Sequence, residues 1–308
     1  MTEPVAIPPS PGAAWTAQLV AAGHLVPMGV PGLHGLGGDA TRIALGVERL
    51  VASASADDGA EVLRFPPVIA RATLERSDYL ATFPHLAGSV HSFSGSERDH
   101  ARLLDRLESG GGWADGLPST GTVLTPAACY PLYPTLAGTL PPEGRLVDLS
   151  SYVFRHEPSD DPARMQSFRM CEQVRAGTAE QCRAHRDRWL ERGLGLLRSL
   201  GLDAHAALAN DPFFGRAGRM LASNQREQQL KFELLVPVTP GLPPTACASF
   251  NYHQDHFGLA FGIRTRDGAP AHTACVGFGL ERLALALLRR HGLDVAAWPA
   301  AVRAPLLE

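Results

Sequence analysis

The alternation of hydrophobic and polar residues divides the chain into helical and extended segments. Residues 38–51 place Ile43, Val47 and Val51 on one stripe, because helical side chains three or four positions apart share a face. Similar patterns predict helices over residues 15–26, 71–79, 94–109, 179–200 and 280–290. Short alternating runs predict strands over residues 61–65, 122–124, 146–154, 232–238, 246–252, 259–264 and 274–276. Strands framed by helices in this order indicate an α+β fold with a mainly antiparallel sheet.

The composition is that of a globular protein without a strong electrostatic field. The chain has 308 residues, 45% of them hydrophobic, and a formal net charge of −3. This balance argues against a broad nucleic-acid-binding surface, which is usually basic. The 5 cysteines are too few for a disulfide framework and suit a reducing compartment. Since we find no signal peptide and no long apolar run, we expect a cytoplasmic protein without a membrane segment.

The first candidate site is a predicted hairpin in the middle of the chain. Phe-Arg-His-Glu at residues 154–157 ends one strand, and a polar loop leads to Arg164 and to Phe168 on the next strand. Arg155 is suited to binding a carboxylate or phosphate, and Glu157 to accepting from an exocyclic amine. Phe168 offers a face on which a base stacks. A surface hairpin with ordinary salt bridges is the alternative.

The second candidate site is a glycine turn near the end of the chain. Cys-Val-Gly-Phe-Gly-Leu-Glu-Arg at residues 275–282 ends a strand and begins a helix. The two glycines allow a ligand to approach the backbone closely, and a helix N-terminus favours anions. Arg282, in the first turn, adds a full positive charge for a phosphate. A simple strand–helix turn is the alternative.

Together and in this order, the two sites resemble motifs 2 and 3 of the class II aminoacyl-tRNA synthetases. Residues 38–51 and 61–67 resemble motif 1, a long helix followed by a strand that ends at proline, so the similarity spans residues 38–290. The resemblance implies the class II catalytic domain, an antiparallel sheet flanked by helices, and a homodimer formed through motif 1. It also implies an ATP-dependent amino acid ligase that forms an adenylate, with Arg155 and Arg282 as its catalytic residues.

The resemblance also implies a set of binding residues. Lys231 and Glu233 alternate along residues 229–235, as Ser249 and Asn251 do on the next predicted strand, so each pair shares a face. The residues expected to bind ATP and its Mg²⁺ are Arg155, Glu157, Arg164, Phe168, Glu233 and Arg282. The residues expected to bind the amino acid are Arg155, Lys231, Ser249 and Asn251.

One departure from motif 3 indicates a metal site. Cys275 stands where that motif usually has its first glycine. Cys129 lies in a loop, and Glu172 lies four residues after Phe168 on the same face of the predicted strand. Two cysteines and a glutamate from three segments, with an open fourth position, are typical of catalytic Zn²⁺. Taken alone, two buried thiols and a salt-bridged carboxylate are the alternative.

These three ligands in this order resemble the zinc site of the atypical seryl-tRNA synthetases of methanogens. They also resemble that of the truncated bacterial relatives of those enzymes, the amino acid:[carrier protein] ligases, in which zinc holds the amino group. The bacterial ligases load a small amino acid onto the phosphopantetheine arm of a carrier protein and lack a tRNA-binding domain. We expect this chain to be of that type, with glycine or alanine as substrate and no tRNA partner. A tRNA-charging seryl-type relative and a non-catalytic regulatory paralogue are the alternatives.

We expect residues 1–14 to be a flexible N-terminus and residues 15–308 to form the catalytic domain. Within that domain, residues 211–227 are expected to form a partner-binding helix. Arg216 and Arg219 would lie on one face of it with Phe213, which suits an acidic carrier protein. A surface helix with Phe213 in the core is the alternative.

Overall fold

The computed structural model describes residues 9–211, 225 and 228–308. The helices are α1 (Pro11–Ala21), α2 (Gly38–Ala54), α3 (Arg71–Arg76), α4 (Tyr79–Thr82), α5 (Glu97–Glu108), α6 (Ala179–Ser199), α7 (His256–Phe261), α8 (Leu280–His291) and α9 (Ala300–Leu307). The strands are β1 (Leu25–Pro27), β2 (His34–Leu36), β3 (Glu61–Leu63), β4 (Val68–Ala70), β5 (Ser89–His91), β6 (Ser119–Leu124), β7 (Gly138–Thr139), β8 (Arg145–Phe154), β9 (Ser167–Gly177), β10 (His205–Leu208), β11 (Lys231–Val236), β12 (Thr245–Gln254), β13 (Ile263–Arg264) and β14 (His272–Gly279). Among the described helices, none has the length and apolarity needed to cross a membrane.

A central sheet organises the described part of the chain. It has seven strands in the order β10-β11-β12-β14-β9-β8-β3, and neighbouring strands are antiparallel except β3 and β8. Helix α6 packs on one face, where the buried Trp189 ring contacts Phe278 at a centroid distance of 5.9 Å. Helix α2 packs against α8 and α9. The predicted α+β fold with a mainly antiparallel sheet is confirmed.

The register of the sheet brings distant residues together on the face opposite α6. Successive side chains of a strand point to opposite faces, and directly paired residues point to the same one. Phe278 points toward α6, so its neighbour Gly277 lies on the other face. Two rows of paired residues cross that other face: the first is Lys231, Asn251 and Cys275, and the second is Glu233, Ser249, Gly277 and Glu172.

One predicted strand is wrong in part, and one predicted helix is shifted toward the N-terminus. Residues 259–264 were expected to form a strand, but α7 occupies the first half of that range because Phe257 and Phe261, four positions apart, both enter the core. Gly262, with a φ of 68°, ends α7 before the short β13. The helix expected over residues 15–26 begins at Pro11, inside the segment expected to be flexible, and ends at Ala21. The expected partner-binding residues Phe213, Arg216 and Arg219 lie outside the described residues.

The loop between β8 and β9 is tied to two other parts of the fold. Thr16 of α1 donates to the Asp160 carbonyl over 3.1 Å, and Thr239 donates to the Asp161 carboxylate over 2.7 Å. Gly12 approaches so closely that a Cβ atom there would lie 2.8 Å from the Asp161 Cα. This loop carries Arg164, whose side chain is exposed.

Candidate active site

Three potential metal ligands meet on the sheet face opposite α6. The sulfurs of Cys129 and Cys275 and a carboxylate oxygen of Glu172 all lie within 4.8 Å of one another, and all three side chains are buried. Cys275 Sγ donates to Glu172 Oε2 over 2.9 Å. The other carboxylate oxygen accepts from the Ala128 N–H, also over 2.9 Å. The three ligands predicted from sequence therefore form one cluster.

The pairing of β14 with β9 explains how this cluster forms. Glu172 lies directly opposite Gly277, and Cys275 is two residues away on the same face. A Cβ atom at Gly277 would lie 2.9 Å from Met170 Cε and 3.4 Å from Glu172 Cγ. The glycine therefore leaves the space that the Met170 methyl group occupies beside Glu172. Cys129 reaches the same place from the loop that follows β6.

The donor set fits a soft divalent cation. The pKa of the Cys275 thiol is raised well above its usual range by a hydrogen bond with Cys129, by burial and by the charge of Glu172. A bound cation would supply the positive charge that this buried group of acids lacks. Two sulfurs and one carboxylate oxygen from three segments match the ligand set of a catalytic zinc site.

A cavity of about 430 Å³ opens beside the cluster. Its volume lies in the range of about 300–1,000 Å³ that is typical of small-molecule sites. The predicted site residues that line it are Cys129, Arg155, Glu157, Phe168, Glu172, Lys231, Glu233, Ser249, Asn251, Cys275 and Arg282. Arg164 is not among the lining residues.

Two arginines flank the ring of Phe168 in this cavity. The guanidinium carbons of Arg155 and Arg282 lie 5.8 and 5.7 Å from the ring centroid. Arg282 donates to the carbonyls of Ala163 and Ala246 over 2.6 and 2.9 Å. Within the described part of the chain, neither arginine forms a salt bridge with a carboxylate. Because carbonyl partners leave the positive charge uncompensated, this region of the cavity is suited to phosphates and carboxylates.

Lys231 lies in a buried polar network of the cavity wall. Its Nζ binds the Asp211 carboxylate and lies 3.1 Å from Glu233 Oε1. Burial alone would lower the pKa of Lys231, but the two carboxylates raise it, so the amine stays charged. Asp211 also exchanges two hydrogen bonds of 2.7 Å with Gln225. Ser249 and Asn251 face the same cavity from β12.

Two proteins of Bradyrhizobium diazoefficiens resemble the chain over most of its length. Amino acid–[acyl-carrier-protein] ligase 1 is 49% identical over 261 residues, 83% of this chain and 80% of that protein. Amino acid–[acyl-carrier-protein] ligase 2 is 49% identical over 283 residues, 90% of this chain and 83% of that protein. The chain belongs to the amino acid–[acyl-carrier-protein] ligase family. No protein-family profile matches it. The predicted family and the predicted enzyme class, an ATP-dependent amino acid ligase, are confirmed.

More distant similarity links this ligase to seryl-tRNA synthetases. The type-2 serine–tRNA ligase of Methanopyrus kandleri is 28% identical over 212 residues, 64% of this chain and 39% of that protein. A solved structure of M. kandleri seryl-tRNA synthetase with A. aeolicus tRNASec has a TM-score of 0.81 and 21% identity, over 94% of this chain and 59% of that one. Seryl-tRNA synthetase from Pyrococcus horikoshii, complexed with ATP, has a TM-score of 0.66 and 15% identity, over 90% of this chain and 58% of that one. These likenesses confirm the predicted class II synthetase fold.

Some residues of the ligase cavity were missed by the sequence analysis. Asp211 was missed because its partner Lys231 is 20 positions away, and only the sheet brings the two together. An aromatic wall was also missed, in which Tyr130 contacts Tyr79 and Phe257 at centroid distances of 5.5 and 5.9 Å. The available signal was the closely spaced aromatic residues of the loop that contains Cys129.

Two histidines of the ligase lie in the same cavity wall. Burial lowers the pKa of His253 to about 3, so its ring is neutral, and its Nδ1 lies 3.0 Å from Thr273 Oγ1. His256 Nε2 lies 3.3 Å from the Ser77 carbonyl oxygen. Neither histidine joins the group of potential metal ligands found among the described residues.

Proposed function

We propose that the chain uses ATP to convert glycine or alanine to an aminoacyl-adenylate and then transfers the aminoacyl group to the phosphopantetheine thiol of a carrier protein. One observation carries this proposal: two arginines without carboxylate partners share a cavity with a Cys/Glu/Cys cluster. Such a cavity suits a triphosphate together with a molecule that carries both a carboxylate and an amine. The names of the two Bradyrhizobium relatives, which specify an amino acid and an acyl-carrier protein, support it.

Adenylation would proceed by attack of an amino acid carboxylate oxygen on the α-phosphorus of ATP. The new O–P bond forms as the P–O bond to pyrophosphate breaks, and no protein base is needed because the carboxylate is already a nucleophile. Arg155 would bridge the carboxylate and the α-phosphate, and Arg282 would neutralise the terminal phosphates with Arg164. Phe168 would stack on adenine, and Glu157 would accept from its exocyclic amine.

The neighbouring strands would complete the binding of both substrates. Glu233 would approach the Mg²⁺ that accompanies ATP, since carboxylate oxygens are preferred ligands of that ion. Lys231, Ser249 and Asn251 would contact the amino acid. Their shared sheet face and their place in the cavity wall support these roles.

Cys129, Glu172 and Cys275 would hold one zinc ion. When bound, the ion supplies a Lewis-acid position for the amine of the amino acid, which has to be neutral to coordinate. The Ala128 N–H fixes one oxygen of Glu172 and so sets the direction of the other toward Cys275. With the amine fixed at this cluster, selectivity depends on the space beside the α-carbon, and we expect glycine or alanine to be preferred over serine.

The second step would be attack of the phosphopantetheine thiol on the adenylate. The C–S bond forms, the C–O bond to AMP breaks, and the thiol proton is released to water. Phe213, Arg216 and Arg219 would bind the acidic carrier. They lie outside the described residues, but Asp211 and Gln225, which flank that segment, both line the cavity.

Amino-acid-dependent exchange of pyrophosphate into ATP tests the first step. Glycine or alanine should support the fastest exchange, serine slower exchange and leucine none. Strongest exchange with leucine would overturn the substrate assignment. No exchange with any amino acid would overturn the adenylation proposal and favour a regulatory paralogue.

Transfer to a phosphopantetheinylated carrier tests the second step. Arg216→Glu combined with Arg219→Glu should abolish transfer and leave pyrophosphate exchange unchanged. Arg98→Glu combined with Arg102→Glu is the matched control, because it makes the same charge change on the exposed helix α5. Unimpaired transfer by the first double variant would reject the docking assignment. Charging of tRNA in place of the carrier by the unaltered protein would replace the proposal with the seryl-type alternative.

The predicted homodimer remains a proposal. The edge strand β3 exposes 65% of the surface of Val62, and its neighbour β8 exposes 52% of the surface of Tyr152. Exposed apolar side chains on a short edge strand are compatible with burial against a second copy. Sedimentation equilibrium should show a dimer for the unaltered protein and a weakened dimer for the Val62→Glu variant. A monomer in both cases would reject the proposal.

A further inference from the structure

Tyr133 is a buried residue that has no role in the proposed reaction. It begins a short 3-10 helix, Tyr133–Leu136, just after the loop that carries Cys129. The Leu132 N–H donates to the Cys129 carbonyl over 3.0 Å, so ligand and tyrosine belong to one turn. The Tyr133 side chain has no exposed surface. The position of Tyr133 therefore depends on the turn that it shares with Cys129 and on the side chains that pack around it.

The ring of Tyr133 is fixed by helix α7. It stacks on Phe257 with a centroid distance of 3.9 Å and an interplanar angle of 11°. Phe261 adds a second ring at 6.2 Å and 22°, and His253 contacts the edge at 6.4 Å. A ring held on several sides places its hydroxyl at a defined point.

The hydroxyl of Tyr133 is buried and makes no well-formed hydrogen bond with any described residue. It nevertheless lies beside the Cys129 thiol, and the charges of Cys129, Cys275 and Glu172 all act on it. Buried polar groups nearly always have partners, so such a group calls for an explanation. A thiol sulfur is a weak acceptor, whereas a metal-bound thiolate is a good one.

We infer that Tyr133 is a positioning residue that donates its hydroxyl hydrogen to the Cys129 sulfur when the cluster holds its metal ion. The inference rests on the metal site of the proposed function and adds a residue outside the ligand set. Partners of this kind orient a ligand and slow the loss of the ion. The donor here is held by aromatic stacking, so the metal site extends through Tyr133 to α7.

Tyr133→Phe tests the inference because it removes the hydroxyl and keeps the stacked ring. Zinc affinity, measured by competition with a chromogenic chelator, should fall by roughly 10- to 100-fold. With Co²⁺ in place of zinc, the sulfur-to-cobalt absorption band should shift, since the sulfur loses a hydrogen bond. The melting temperature of the metal-free variant should not fall, because the lost hydroxyl has no well-formed partner there.

Tyr130→Phe is the matched control, since Tyr130 is a partly buried tyrosine of the same loop. It should retain zinc and the cobalt spectrum of the unaltered protein. Phe257→Leu keeps the hydroxyl but loosens the stacked ring, and it should also release zinc faster. Unchanged zinc affinity in both Tyr133→Phe and Phe257→Leu would overturn the inference while leaving the proposed metal site intact. An unaltered protein that binds neither zinc nor cobalt would overturn the metal site itself.

Discussion

Gly277 lies directly opposite Glu172 in the pairing of β14 with β9, so the residue paired with Glu172 adds no side chain beside it. A methyl group at this position would meet the flexible end of Met170 at 2.9 Å and Glu172 Cγ at 3.4 Å. Gly277→Ala should therefore displace the Met170 methyl group, which lies beside Glu172 in the cavity wall, without unfolding the sheet. We expect pyrophosphate exchange to fall by at least tenfold, with a loss of stability of about 1–3 kcal/mol.

Gly195→Ala gives the contrasting case. Gly195 lies on an exposed face of α6, where an added Cβ would meet nothing within 4 Å. This variant should be more stable by about 0.5–1 kcal/mol, because alanine loses less backbone entropy in a helix. Its exchange activity should be unchanged. If Gly277→Ala keeps full activity, the open space opposite Glu172 has no functional role.

The second prediction concerns the metal. Purified protein should hold about one zinc per chain, and Cys129→Ala or Cys275→Ala should remove both zinc and amino acid activation. Removing the metal with a chelator should lower the melting temperature, because an ion that binds the native state stabilises it. Cys182→Ala is the control, since Cys182 is a buried residue of α6 and is not in the ligand group. Full activity in a zinc-free Cys275→Ala protein would contradict the site.

The third prediction concerns Arg282. Arg282→Ala removes a positive charge from the cavity and should slow adenylation by roughly 10²- to 10³-fold, with unchanged zinc content. Arg282→Lys keeps the charge but loses one of the two carbonyl contacts, and its activity should be intermediate. Arg290→Ala on the same helix is the control, because Arg290 binds the Gly201 carbonyl outside the cavity. Near-normal exchange in Arg282→Ala would contradict the assignment of motif 3.

The fourth prediction concerns pH. Burial lowers the pKa of His185 to about 4 and that of His253 to about 3, both from 6.5. Below pH 6.5 the unfolded chain therefore binds protons that the native protein does not bind. Each histidine should lower the free energy of unfolding as the pH falls, by up to about 1.4 kcal/mol per pH unit, until its native pKa is reached. This contribution to stability is complete above pH 6.5.

Urea unfolding at pH 7, 6 and 5 checks the sign. The free energy of unfolding should decrease steadily over this series, and the decrease should be smaller in His185→Gln. The comparison uses the difference between pH values within each protein, so a constant loss of packing in the variant cancels. A variant with the same pH dependence as the unaltered protein would show that His185 does not titrate as proposed.

The sequence was sufficient to predict that Cys129, Glu172 and Cys275 lie together, and all the residues expected to bind ATP or the amino acid line the cavity except Arg164. Arg155 and Arg282 stand at strand ends or helix starts with recognisable neighbours, and local sequence defines such places. Cys129 and Cys275 were found because a cysteine replaced an expected glycine. Asp211 could not be found in this way, because it becomes a cavity residue only when β10, β11 and the sheet register bring it to Lys231.

Packing between distant residues also determined local structure that the pattern of hydrophobic and polar residues could not predict. Residues 259–264 have the alternation of a strand, yet the burial of Phe257 and Phe261 on one side favours a helical turn at this place. Tyr133 was missed for the same reason. The role inferred for Tyr133 depends on the orientation of its hydroxyl. That orientation is set by rings from α7, more than a hundred positions away along the chain.

The attachment of α1 to the loop between β8 and β9 has a consequence for nucleotide binding. Contacts from Thr16 and Thr239 hold this loop in place before any substrate arrives, so its configurational entropy is already lost in the free enzyme. Amide protons of the loop should exchange slowly with solvent even without ATP. A chain that lacks residues 1–16 should keep its sheet but bind ATP more weakly, because ordering the loop that carries Arg164 would then oppose association.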